Sequence, residues 1–85
     1  MNLNRVEELI FKRKEEYLER LFMLLRQKSI SAQNIGVRKC ADLVQDLFKE
    51  CGIQPRLYET KGHPIIYGEI INQKNTFTLL IYGHY

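Results

Sequence analysis

Thr76-Phe77-Thr78-Leu79-Leu80-Ile81-Tyr82-Gly83-His84-Tyr85 is the stretch on which the fold class turns. Its residues up to Tyr82 are rich in β-branched and aromatic types, and the run becomes continuously apolar from Leu79 onward. That is the pattern of a strand covered on both faces, not of one that turns a polar face to water. Coverage on two faces calls for helices packed on a sheet, so the preceding residues are expected to supply helices and neighbouring strands.

Two further strands are expected immediately upstream, over residues 53–60 and 65–71, where apolar side chains recur at a period near two. Pro55 has no N–H for a ladder, so the first of these is an edge strand or enters pairing after the proline. Lys61-Gly62-His63-Pro64 reads as a turn, and Asn72-Gln73-Lys74-Asn75 has the length of a hairpin connection.

Before Gly52 the period lengthens to that of a helix. Val37, Cys40, Ala41, Val44, Leu47, Phe48 and Cys51 fall on one face, with Asn34 placed to cap the start and Gly52 suited to the left-handed residue past the end. Val37, Cys40, Val44, Leu47 and Phe48 are expected to face the first helix or the sheet. That first helix is expected over residues 4–28, where Val6, Leu9, Ile10, Tyr17, Leu18, Leu21, Phe22, Leu24 and Leu25 recur largely at three- and four-residue intervals. Asn4 with Glu7 resembles a capping pair, and Glu8 with Lys12 and Glu16 with Arg20 stand at favourable four-residue spacing. The apolar stripe lapses between Lys12 and Glu16. The expected fold class is α/β, two amphipathic helices followed by three strands, in one domain spanning residues 1–85 with no linker or internal repeat.

Composition narrows the function classes. The 85 residues are 45% hydrophobic and 27% charged, which fits a folding globular domain and excludes the disordered classes. A chain this short buries only about 60–65% of the surface its unfolded form exposes, so marginal stability is the starting expectation. The net charge of +3 is weakly clustered: Lys12, Arg13 and Lys14 are followed at once by Glu15 and Glu16, which reads as a solvated helix face and not a nucleic-acid footprint. Neither a signal segment nor an apolar run long enough to span a bilayer is present, and the chain reads as cytoplasmic with no membrane partner. Cys40 and Cys51, about 16 Å apart along one helix, are too distant to pair and are expected to be reduced core residues.

Ligands of α/β sheets gather beyond the carboxyl ends of strands, and Gly83, His84 and Tyr85 occupy that place. A neutral imidazole is a good zinc donor, although a lone histidine after a strand is more often a structural or solvent-facing residue than a ligand. His63, between Gly62 and Pro64, reads as an exposed turn residue. Glu59 and Glu69 read as solvated strand positions without a shared pocket, and Arg38 as a residue that caps or solvates its helix.

The succession Ser29-Ile30-Ser31-Ala32, then Val37-Arg38-Lys39-Cys40-Ala41 leading to Leu47 and Gly52, then Gly62-His63-Pro64 with Ile66 and Gly68, and finally Thr78-Leu79-Leu80-Ile81-Tyr82-Gly83-His84-Tyr85, resembles the opening of the zinc aminoacylase and carboxypeptidase family. Acetylornithine deacetylase, succinyl-diaminopimelate desuccinylase and carnosinase-like dipeptidases belong to that family. The early segments are permissive matches and the last is specific: in the family an apolar strand runs into Gly-His-x-Asp. The tyrosines on either side of Gly83-His84 look most like the dipeptidase branch.

The resemblance implies the start of a three-layer zinc-peptidase catalytic domain. It also implies that His84 is a ligand of one zinc of a pair, and that the substrate is a dipeptide or N-acyl amino acid whose amide bond is hydrolysed. The family's remaining ligands, bridging aspartate and general-base glutamate would follow Tyr85, so no catalytic residue is assigned within the chain. On that reading the 85 residues are a fragment cut at the first metal-ligand motif. They would be inactive alone, would bind zinc poorly, and would be prone to self-association through Leu79, Leu80 and Ile81. The rival reading is a small self-contained interaction module that docks through its first helix and has no metal site.

Overall fold

A computed structural model describes residues 2–85. The chain forms three α-helices, α1 (Leu3–Lys12), α2 (Lys14–Arg26) and α3 (Val37–Glu50), followed by a two-stranded antiparallel sheet of β1 (Arg56–Tyr58) and β2 (Ile65–Tyr67). The class is mixed α and β.

The single helix expected over residues 4–28 is two. It breaks at Arg13, whose φ of −103° and ψ of 14° leave the helical region. The break falls where the apolar stripe lapses, so no buried side chain holds the backbone straight. The flanking charges suit two helix ends: Lys12 lies in the last turn of α1, while Glu15 and Glu16 lie in the first turn of α2. Capping also differs from expectation. Asn2, not Asn4, caps α1 by accepting the Arg5 N–H at 3.2 Å. Arg20 forgoes Glu16 and reaches across to Glu50 of α3 at 3.0 Å.

Between α2 and α3 the chain makes a closed loop. Ile30 and Ile35 exchange backbone hydrogen bonds of 2.9 and 3.1 Å, and the residues between them form a 3-10 turn (Ser31–Gln33) ended by Asn34 in the left-handed region. Asn34 therefore terminates that turn and does not cap α3, because the cap position belongs to Gly36.

The core forms along α3. Val37, Cys40 and Ala41 are buried and Val44, Leu47 and Phe48 half-buried, so the apolar stripe read from the sequence faces α2 on one side and β2 on the other. The helix ends in a Schellman motif: the N–H of Ile53 donates to the Phe48 carbonyl at 2.9 Å and that of Gly52 to Lys49 at 3.0 Å, with Gly52 at φ 77° as expected. Cys51 departs from the core reading. It is the residue at which the helix stops, beyond the last turn that touches β2, and it is exposed, whereas Cys40 is buried; both are free thiols. A thiol reagent is accordingly expected to label one cysteine promptly in the native protein and the second only on unfolding, and equal labelling of both would contradict this burial.

β1 begins directly after Pro55, as its missing N–H requires. Pairing places Arg56 opposite Tyr67, Leu57 opposite Ile66 and Tyr58 opposite Ile65, with Leu57 and Ile66 turned toward the interior. The strands are shorter than the expected 53–60 and 65–71 because the proline limits one partner and thereby the other.

Residues 76–82, expected as a third strand, do not enter the sheet, which among the described residues consists of β1 and β2 alone. A segment becomes a strand only when a neighbour takes up its backbone groups, and a doubly apolar one needs covers on both faces. Here Phe77, Leu79, Leu80, Ile81 and Tyr82 are all exposed. Among the described residues no helix is long and apolar enough to cross a membrane.

Candidate functional site

The segment that carries His84 returns to the body of the molecule only at its end. The Tyr85 hydroxyl donates to the Pro64 carbonyl, which pins the chain beside the start of β2. Burial pushes the Tyr85 phenol above its ordinary range, with the nearby Arg38 charge acting in the opposite direction. His84 itself is exposed, and its ring meets Tyr82 edge-on at 5.1 Å between centroids and 76° between planes.

Between this returning segment and the body lies a cleft of about 560 Å³, lined among others by Val44 and Phe48 of α3, Ile66 of β2 and His84. His63 lines the same cleft. Sequence reading placed the two histidines in unrelated settings, and the structure brings them to one cavity. His63 is half-buried instead of fully exposed, because its Nε2 lies 2.9 Å from the Ser31 carbonyl, to which the ring donates. The turn around it is held by Thr60, whose hydroxyl donates to the His63 carbonyl at 2.7 Å and accepts the Gly62 N–H at 3.0 Å. A contact between residues 32 positions apart leaves no local signal by which it could have been found.

The two glutamates stand at opposite ends of the hairpin, since Glu59 follows Tyr58 near Ile65 while Glu69 follows Tyr67 near Arg56. They do not make an acid-base pair. Glu69 accepts the Tyr67 hydroxyl at 2.5 Å, a bond that raises the phenol's pKa. Glu59 takes both arms of the Arg38 guanidinium, at 2.6 and 2.9 Å, so Arg38 clamps α3 to the end of β1 and does not serve as a cap.

The Arg38 hydrogen bonds hold the Glu59 carboxyl below the usual carboxylate range. A depressed carboxylate stabilises the fold above its unfolded pKa, and the contribution disappears as pH falls through the folded value. The melting temperature of the native chain is therefore expected to exceed that of Glu59→Gln at about pH 7, and the gap to close toward about pH 2. Both side chains are more than half exposed, so the gap is small. A gap that widened on acidification would remove the ion pair from the account.

His84 is a competent donor in an accessible place, but a zinc site needs at least three protein ligands. Among the described residues no three His, Cys, Asp or Glu side chains gather closely enough to hold a metal ion. Among the described residues His84 therefore has no companion ligands. Compared with family models, with curated proteins and with solved structures, the chain finds no match.

Proposed function

We propose that the chain is the amino-terminal part of a zinc-dependent hydrolase cleaving the amide bond of dipeptides or N-acyl amino acids, with His84 as one ligand of a two-zinc centre and no hydrolytic activity in these 85 residues alone. The observation that carries the reading is the placement of His84. An imidazole directly after an apolar segment and Gly83, exposed and lining a cleft, stands where a strand-end ligand is useful.

The exposed side chains of Leu79, Leu80 and Ile81 support the same reading. In the proposed three-layer domain residues 76–82 are a strand, and polypeptide following Tyr85 supplies its neighbours, its covers and the other metal ligands. A cytoplasmic location accompanies the proposal and suits the two free thiols. The module reading draws on α1, which has no buried residue and leaves Leu3, Ile10 and Phe11 open to a partner. It assigns no role to His84.

The test is to express the chain with whatever its reading frame encodes after Tyr85 and to measure metal content and hydrolysis of dipeptides and N-acetyl amino acids. Two zinc ions per active site and amide hydrolysis are the expected result. A metal-free product inert toward both substrate classes would remove the zinc reading and leave the module.

A further inference from the structure

A second cavity, of about 620 Å³, lies where α2 ends and α3 begins, and Val37 alone lines both it and the histidine cleft. Arg26 from the last turn of α2, Lys28 from the loop, and Arg38 and Lys39 from the first turn of α3 line it, and none of its lining residues is acidic. Two of these cations are already paired: Arg26 lies 3.6 Å from Glu19, and Arg38 holds Glu59 at 2.6 Å. Among the described residues Lys28 and Lys39 have no carboxylate within 4.0 Å. Asp42, the nearest acid along α3, stands a turn further on and outside the lining. The two lysine-bearing segments are tied together by Gln27, whose Nε2 donates to the Lys28 carbonyl at 3.0 Å and lies 3.5 Å from the Gly36 carbonyl. Lys39 also sits where it costs stability, because positive charge is disfavoured at that end of a helix and the first turn of α3 has no acidic residue to offset it. An unpaired charge kept in a cavity against the local rule calls for a partner from outside the chain.

We infer that this cavity binds the phosphate group of a small phosphomonoester. The charge count selects the ligand: four cations less two carboxylate partners leave two positive charges, and a phosphomonoester carries close to two negative ones near neutral pH. A carboxylate would leave one ammonium unpaired. The volume exceeds what a bare phosphate fills and falls within the ~300–1,000 Å³ of small-molecule sites, so room remains for the organic part of the ester. The side-chain amide of Asn34 lines the same cavity and adds a neutral donor. The cations are gathered in one concavity and not laid out along a groove, which suits a single phosphate group and not a nucleic-acid backbone. The inference goes beyond the zinc reading and does not rest on it.

The experiment dialyses the 85-residue chain to equilibrium against radiolabelled ribose phosphate, inorganic phosphate or acetate. Salt is held at about 0.15 M, which screens exposed charges beyond about 8 Å. One equivalent of the ester is expected to bind, inorganic phosphate more weakly and acetate not measurably. Lys28→Gln and Lys39→Gln each remove a charged donor and are each expected to weaken the ester by about tenfold, while Lys74→Gln, which changes net charge equally outside the cavity, is expected to stay within about twofold. Stability supplies a second readout. Without ligand Lys39→Gln is expected to melt no lower than the parent chain, since it relieves the repulsion at the start of α3, and it is expected to lose the rise in melting temperature that the ester gives the parent. No saturable uptake by the parent chain, full binding in both cavity variants, equal weakening by Lys74→Gln, or a Lys39→Gln chain that melts lower would each overturn the inference. So would a single-stranded oligonucleotide or phosphatidic-acid vesicles bound in preference to the ester.

Discussion

In the chain extended past Tyr85, His84→Ala is expected to remove one zinc equivalent and nearly all amide hydrolysis, while His63→Ala retains both. Loss of an outer hydrogen-bond partner at a metal site costs about 10–100-fold, and removing a ligand itself is expected to cost more. The structure makes the two substitutions a sharp comparison. His84 is exposed and meets Tyr82 edge-on, so truncating it removes little packing, and a loss of activity would not reflect unfolding. His63 is half-buried and bonded to the Ser31 carbonyl, so its truncation is expected to cost about 1 kcal/mol of stability and no metal. Both residues line one cleft, so a cleft of general importance would make both variants defective, whereas a ligand role isolates His84. Metal analysis and turnover on the two variants beside the parent decide it. Two zincs and near-normal turnover in the His84 variant would end the assignment.

The legible parts of the fold are those set by local patterns. The α3 stripe from Val37 to Phe48 was readable because every apolar position on a helix 14 residues long repeats the same demand for one buried face. Gly52 and Pro55 were readable because each is singled out by a backbone property that no neighbour overrides. The break at Arg13 was visible as a lapse in the stripe, yet a lapse alone does not say whether a helix continues unpacked or stops. Asn34 was misplaced because two residues of left-handed backbone, Asn34 and Gly36, intervene between the 3-10 turn and α3, and an asparagine suits either a cap or a left-handed turn.

What the sequence could not supply is long-range register. The Arg38 clamp on Glu59 spans 21 positions and the approach of His63 to the Ser31 carbonyl spans 32. Each depends on how α3 crosses the hairpin. Residues 76–82 illustrate the opposite case: their strand pattern is strong, but a strand is a relation between two segments, and among the described residues the second member is missing. His84 stood out as a candidate only through the resemblance of the run from Thr78 to Tyr85, because a lone histidine after an apolar segment is more often structural or solvent-facing. Its shared cleft with His63 did not stand out at all.

Gly36→Ala is expected to lower the melting temperature by about 15 °C. Gly36 holds φ at 70°, a region in which a side chain costs about 1–2 kcal/mol. A Cβ there would also run into the backbone carbonyl oxygen of Lys28. That oxygen cannot swing aside as a side-chain end would. It accepts a hydrogen bond from Gln27 Nε2 at 3.0 Å, and Lys28 leads into the loop closed by the Ile30–Ile35 bridge. Relief therefore requires the loop to move away from the start of α3, where the Gly36 carbonyl receives the Cys40 N–H at 2.9 Å and the buried core begins at Val37. The combined cost is about 3 kcal/mol, a large share of the roughly 4–13 kcal/mol that a chain of this length holds. Gly52→Ala separates the two contributions. Gly52 has φ 77° but no atom within 4 Å of the place its added methyl group would take, so it bears the backbone cost alone and is expected to lose about 5 °C. Circular dichroism at the helix band during heating measures both variants. Equal melting temperatures for the two would show that the Lys28 carbonyl yields freely, and that the junction between α2 and α3 is not the rigid joint on which the packing of the helical layer depends.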